Sequence, residues 1–111
     1  MFKTLTRTSI ATLAAALLSL QATHAVAQPM TADEVFTMAL QQYEDGRYAA
    51  AYGRFVWLAN RGHGDAARFA LDMFRFGKAL YGSEFDAAPH QVRDWVVAAS
   101  MQHTTRLASA R

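Results

Sequence analysis

From residue 31 onward the apolar positions recur every three to four residues, and the rhythm breaks only where glycine or proline stands. Such a period is that of amphipathic helices. In Thr31 to Tyr43, Val35, Ala39 and Tyr43 are spaced by four with Phe36 and Leu40 beside them, and Thr31 or Asp33 is placed to cap the start. Gly46 separates this segment from Arg47 to Arg61, where Tyr48, Tyr52, Phe55 and Ala59 fall in one sector and Ala51, Val56 and Leu58 lie at its edges. Gly62-His63-Gly64 then leads into Asp65 to Phe76. There the polar residues Asp65, Arg68, Asp72 and Arg75 form one narrow stripe, so that helix is expected to be covered on two sides. The last segment, Gln91 to Leu107, is expected to bury Val92, Trp95, Val96, Ala99, His103 and Leu107. Pro29 and Pro89 precede the first and last segments and mark helix entries. The pattern predicts an all-α domain of about four antiparallel helices, arranged as two helix-turn-helix hairpins.

The first 27 residues read differently. Lys3 and Arg7 supply a positive start, no acid appears before Asp33, and the apolar run Ile10 to Leu20 follows. As a helix that run spans roughly 16 Å, about half of a hydrocarbon core near 30 Å thick. It is too short for a stable membrane span. Small residues at the required positions offer two cuts, after Ala27 and after Ala25, of which the first is preferred. Residues 1–27 are therefore expected to form a cleaved secretory signal helix, and residues 28–111 the working domain, delivered to a bacterial periplasm or secreted.

This division changes the charge picture. The whole chain has 11 Lys and Arg against 9 Asp and Glu, for a net charge of +2, and losing Lys3 and Arg7 leaves the rest balanced. The compositional case for nucleic-acid binding disappears with the leader. The sequence contains no cysteine, so it has no disulfides, thiolate metal sites or lipidated cysteine.

A shift of forty positions superposes the second segment on the fourth. Tyr52 meets Val92, Phe55 meets Trp95, Val56 meets Val96, Ala59 meets Ala99 and His63 meets His103. The run Tyr43-Glu44-Asp45-Gly46-Arg47-Tyr48, followed by Ala51, Tyr52, Phe55, Leu58-Ala59, Gly62-His63, Ala66-Ala67, Phe74 and Gly77, resembles the Sel-one-like branch of tetratricopeptide repeats, over about Ala39 to Ala99. Two positions depart from that pattern: its Leu-Gly pair is Ala70-Leu71 here, and its second Gly-His is Gln102-His103. The resemblance implies a short α-solenoid in which small residues let paired helices approach, and a non-catalytic role in holding partners together. A solenoid needs about three repeats for secure stability. With about two hairpins present, either the helices close into a bundle or an apolar edge awaits a partner protein or a second copy.

Among residues that carry chemistry, Arg47, Arg54, Arg61, Arg68 and Arg75 recur every seven positions. Arg54 and Arg61 flank Trp57 on the side of the second helix opposite its apolar face. Arg54, Trp57 and Arg61 are the candidate partner-binding patch, since Trp and Arg dominate interface hot spots. Against this stands local use of the arginines, stacked on Trp57 or paired with Asp65 and Asp72. His90 and Asp94 have the i,i+4 spacing of two metal ligands without a third at a diagnostic interval. No nucleophile motif or phosphate-cradling glycine loop occurs. The expected function is thus an exported, non-enzymatic adaptor or scaffold with a protein partner, without cofactor, metal or nucleic acid. The alternative is a small helical carrier or chaperone that holds an apolar ligand or unfolded client through Phe69, Phe74, Phe76, Leu80 and Tyr81. A closed apolar cavity would favour the carrier, and an exposed groove beside Trp57 the adaptor.

Overall fold

The computed structural model describes residues 28–110, so the expected signal helix lies outside the described residues. Four helices follow in order: α1 (Ala32–Glu44), α2 (Tyr48–Ala59), α3 (Gly64–Tyr81) and α4 (Pro89–Ser109), with no strand among the described residues. They form two consecutive antiparallel hairpins, α1–α2 and α3–α4, joined by packing of α2 on α3.

Local chemistry sets the helix ends. Thr31 caps α1 in a reciprocal box: its Oγ1 accepts from the Glu34 N–H at 3.2 Å, while Glu34 Oε2 accepts from the Thr31 N–H at 2.8 Å. His63 caps α3, its Nδ1 accepting from the Ala66 N–H at 3.1 Å. Pro89 occupies the first position of α4, where its missing N–H is no loss. The three turns each contain a glycine with positive φ, Gly46 at 79°, Gly62 at 88° and Gly82 at 72°, a conformation that costs a residue with Cβ about 1–2 kcal/mol. α3 continues past the expected Phe76 to Tyr81 and ends on the left-handed Gly82.

Seven of the twelve buried apolar residues among those described are alanine, so the helices close on small side chains, with a few large ones filling the seams. Phe55 of α2 stacks on Phe69 of α3, centroids 4.6 Å apart and planes 9° from parallel. Phe36 of α1 meets both edge-on at 6.0 and 6.2 Å. α3 is covered on two sides as its pattern predicts, with Ala66, Ala67, Ala70 and Met73 fully buried between α2 and α4.

α4 is where the sequence pattern misleads. Trp95 is fully buried and Ala98 nearly so, and Val92 and Ala99 are half-buried, but Val96 is 41 % exposed, Leu107 57 % exposed and His103 exposed. Residues 95–99 are Trp-Val-Val-Ala-Ala, apolar on every side, so periodicity alone cannot choose the buried face. Close approach chooses it: Gly64 lies against the Ala98 carbonyl and the Gln102 side chain, and turns that side of α4 inward. The forty-residue match keeps Phe55 and Trp95 equivalent as buried anchors and fails at its end. His63 caps a helix, whereas His103 sits inside α4, which runs six residues further.

At the end of the molecule away from His63, Tyr43 and Tyr81 share a hydroxyl hydrogen bond of 2.9 Å. The Tyr52 hydroxyl donates to the Asp86 carbonyl at 2.7 Å and so holds the α3–α4 loop to α2. Burial, with the nearby Asp86 charge, pushes Tyr52 from 10.0 up to about 12. Burial and the Tyr43 hydroxyl move Tyr81 in the same direction. A phenol whose folded pKa is raised contributes stability that is intact below its unfolded pKa and lost as pH rises toward the folded one. The urea midpoint is therefore expected to hold steady up to pH 10 and to fall between pH 10 and 12, with a smaller fall in Tyr52→Phe. Equal alkaline slopes for the two proteins would contradict the assignment.

Candidate functional site

The three residues of the sequence-derived patch are tied down locally to different degrees. Trp57 is 43 % exposed. The Arg61 guanidinium lies 3.7 Å from the centre of its ring, and Arg61 Nη1 donates to the Trp57 carbonyl at 2.8 Å. Arg54 turns the other way and donates to Gln42 Oε1 of α1 at 2.8 Å. The structure thus joins Arg61 to Trp57 and assigns Arg54 to the α1–α2 seam. The acid–base stripe of α3 is not a ladder of local pairs. Asp65 instead pairs with Arg106 of α4 at 2.7 Å, the one ion pair among the described residues, and this tie joins the two ends of the α3–α4 hairpin. Both partners reach solvent, with side chains 25 % and 54 % exposed, so the pair fixes geometry more than it adds stability.

Between α1 and α3 lies an open groove of about 430 Å³. Its floor is Phe36, Leu40 and Phe69. Its rim is Arg68, Asp72 and the Asp65–Arg106 pair. α1 supplies the first two floor residues because Phe36 and Leu40 are four apart on its inner side, and α3 supplies Phe69, whose other face is the stack on Phe55. Phe76 and Leu80 follow Phe69 by seven and eleven residues, which returns each to the same side of α3 within about 20°. They are 48 % and 66 % exposed, so the apolar line of the floor continues along α3 into solvent. Of the five residues named for an apolar carrier, Phe69, Phe76 and Leu80 share this line. Phe74 lines a separate depression with Glu84 and Asp86, and Tyr81 is bonded to Tyr43.

A second groove, of about 510 Å³, runs along α4 beside the α2–α3 turn. Val97, Ala98 and Met101 give it an apolar centre, Asp94 and Thr105 stand at its ends, and Gly62, next in the chain to Arg61, closes one side. Periodicity did not mark this surface because Val97 and Met101 fall outside the face assigned to the α4 core. The signal available in the sequence was the excess of apolar residues around all of α4.

His90 and Asp94 are one turn apart on α4, and among the described residues no three His, Asp or Glu side chains gather as a metal site. No helix among the described residues is long and apolar enough to cross a membrane. Compared with protein-family models, with curated proteins and with solved structures, the chain has no match.

Proposed function

We propose that this chain is an exported, non-catalytic helical-repeat protein that binds a segment of a partner protein in the groove between α1 and α3. The observation that carries the reading is that groove: an aromatic and aliphatic floor of Phe36, Leu40 and Phe69, continued by exposed Phe76 and Leu80, with charges of both signs at its rim. Apolar anchors ringed by polar groups are the anatomy of a protein interface. The Trp57 patch is the weaker contact surface, since Arg61 and Arg54 already have partners within the chain. The carrier reading draws on the same exposed Phe76 and Leu80. It is second because the groove is open along a charged rim, whereas a carrier encloses most of its ligand. Export follows from the reading of residues 1–27 as a cleaved signal, and the leader is the reason to look for partners outside the cytoplasm.

The test is affinity capture from the native compartment with three baits: the wild-type chain, Phe76→Glu/Leu80→Glu, and Trp57→Ala/Arg54→Ala. The wild type and the Trp57 variant are expected to recover the same proteins and the Phe76 variant to lose them. Loss with the Trp57 variant alone would move the site to α2. A bound lipid in the mass spectrum, with no protein recovered by any bait, would favour the carrier. Intact mass of the isolated protein is expected to begin at Gln28 or Val26, and a species that keeps Met1 would remove export from the proposal.

A further inference from the structure

The two walls of the α1–α3 groove carry their charge unevenly. Asp33 stands seven residues before Leu40 and returns to the same side of α1 within about 20°, and Glu44 stands four after it, about 40° round. Both are exposed, and both edge the groove whose floor Leu40 shares. They are about 16 Å apart along the helix. Glu34, the third acid of α1, is committed to the Thr31 cap, and no Lys or Arg lies between Ala32 and Glu44. On the facing wall Asp65 and Arg106 neutralise each other, which leaves Asp72 and Arg68. Arg68 stands on the crest of α3, where it also lines two depressions on the α4 side. Arg75 and Lys78 line depressions away from α1. The charge that remains along the groove is therefore mainly carboxylate.

Among the described residues the side chains of Asp33, Glu44 and Asp72 enter no ion pair, since the one such pair is Asp65–Arg106. Glu44 works against its own helix. It lies in the last turn of α1, with Asp45 at the C-cap, where the helix dipole favours a cation and that turn supplies none. Arg47, three residues on, forms no ion pair with it. A cation brought by a ligand would relieve this end of α1. A nucleic acid or an anionic membrane would instead set its own negative charge against these carboxylates. What complements the groove is an apolar segment with a basic residue at each end.

We propose that the groove takes a cationic, amphipathic segment of a partner protein. Its apolar side chains lie on Phe36, Leu40 and Phe69. Its two Lys or Arg residues, about 16 Å apart, meet Asp33 at one end and Glu44 at the other, with Asp72 across the groove. Such an occupant presupposes that the groove binds protein, the reading given above, and adds the sign and spacing of the partner's charges. Opposite charges at the rim set which partner is accepted and how fast it arrives, while the apolar floor holds it.

Two probes test this: helical peptides of about 15 residues, rich in Leu and Ala, one with a Lys near each end about 11 residues apart, the other with Glu at the same places. Titrated into the isolated protein, the Lys peptide is expected to bind at least about tenfold more tightly than the Glu peptide. Its affinity is expected to fall severalfold between about 0.05 and 0.5 M salt. Asp33→Asn/Glu44→Gln, at two exposed positions, is expected to bring the two peptides within about twofold of each other. The amide signals of Phe36, Leu40 and Phe69 are expected to shift when the Lys peptide is added. Equal binding of both peptides with those shifts would overturn the charge assignment and leave the groove standing as a binding site. Shifts confined to α2 or α4 would overturn both. A Lys preference that survives Asp33→Asn/Glu44→Gln, or no binding of the Lys peptide up to about 1 mM, would overturn the charge assignment, and the capture experiment above then decides the groove separately. Should the double variant fail to fold, the wild-type preference and its salt dependence decide.

Discussion

Trp95→Ala is expected to destabilise the domain by about 3–5 kcal/mol, the range for removing a large buried aromatic. Trp95 is the largest fully buried side chain among the described residues. It is also where α4 meets the end of α2, its indole N–H donating to Asn60 Oδ1 at 2.9 Å. A domain of roughly 80 residues has a total stability of about 4–12 kcal/mol, so the loss takes about a quarter or more of it. At about 4–8 °C per kcal/mol for a domain this small, Tm drops by tens of degrees. Two further variants separate packing from hydrogen bonding. Trp95→Phe keeps most of the volume and frees Asn60, which is exposed and takes water instead, so its cost is expected near 1–1.5 kcal/mol. Asn60→Ala leaves the indole N–H buried and unpaired at about 1–3 kcal/mol. Urea denaturation followed by circular dichroism measures all three. A Trp95→Ala protein within 1 kcal/mol of wild type would mean that α4 is not held by this anchor.

Gly64→Ala tests the close approach of α3 to α4, and two effects there have opposite signs. In a helix, replacing glycine by alanine normally stabilises by up to about 1 kcal/mol. At Gly64 an added Cβ would stand 2.8 Å from the Ala98 carbonyl oxygen and press on the Gln102 side chain. A carbonyl inside a helix cannot move alone, so α4 must shift away from α3 along the seam. Overpacking of this kind costs about 1–3 kcal/mol, and the clash is expected to win by about 1–2 kcal/mol. Gly53 is the control: it sits on the exposed side of α2 with nothing within 4 Å of an added Cβ, so Gly53→Ala is expected to stabilise by about 0.5–1 kcal/mol. If both variants gain stability, the helices are further apart than described.

Four helices in two hairpins were legible because their breaks carry unambiguous chemistry: Gly46, the Gly62-His63-Gly64 turn and Pro89 interrupt clean periods. The covering of α3 on two sides was legible for the same reason, since its polar residues occupy one narrow stripe. α4 was not, because five consecutive apolar residues give no preferred side, and Gly64, which makes the choice, belongs to another helix. Site reasoning met the same limit. The Arg61–Trp57 stack is local, one turn apart, and could be anticipated from spacing, while Arg54–Gln42 and Asp65–Arg106 join residues distant in sequence. Phe69, Phe76 and Leu80 were recognised as an aromatic surplus, but their separation from Phe74 and Tyr81 depends on which sides of α3 the neighbouring helices take.

The reciprocal hydrogen bonds of Thr31 and Glu34 bear on the cleavage proposed for the leader. They close the helical body at Thr31, and the residues just before it, 28–30, are exposed and outside any helix. If the leader is removed as proposed, a cut after Ala25 and a cut after Ala27 leave the same folded body with a tail two residues longer or shorter. A peptidase that wavers between the two sites makes two masses and one structure.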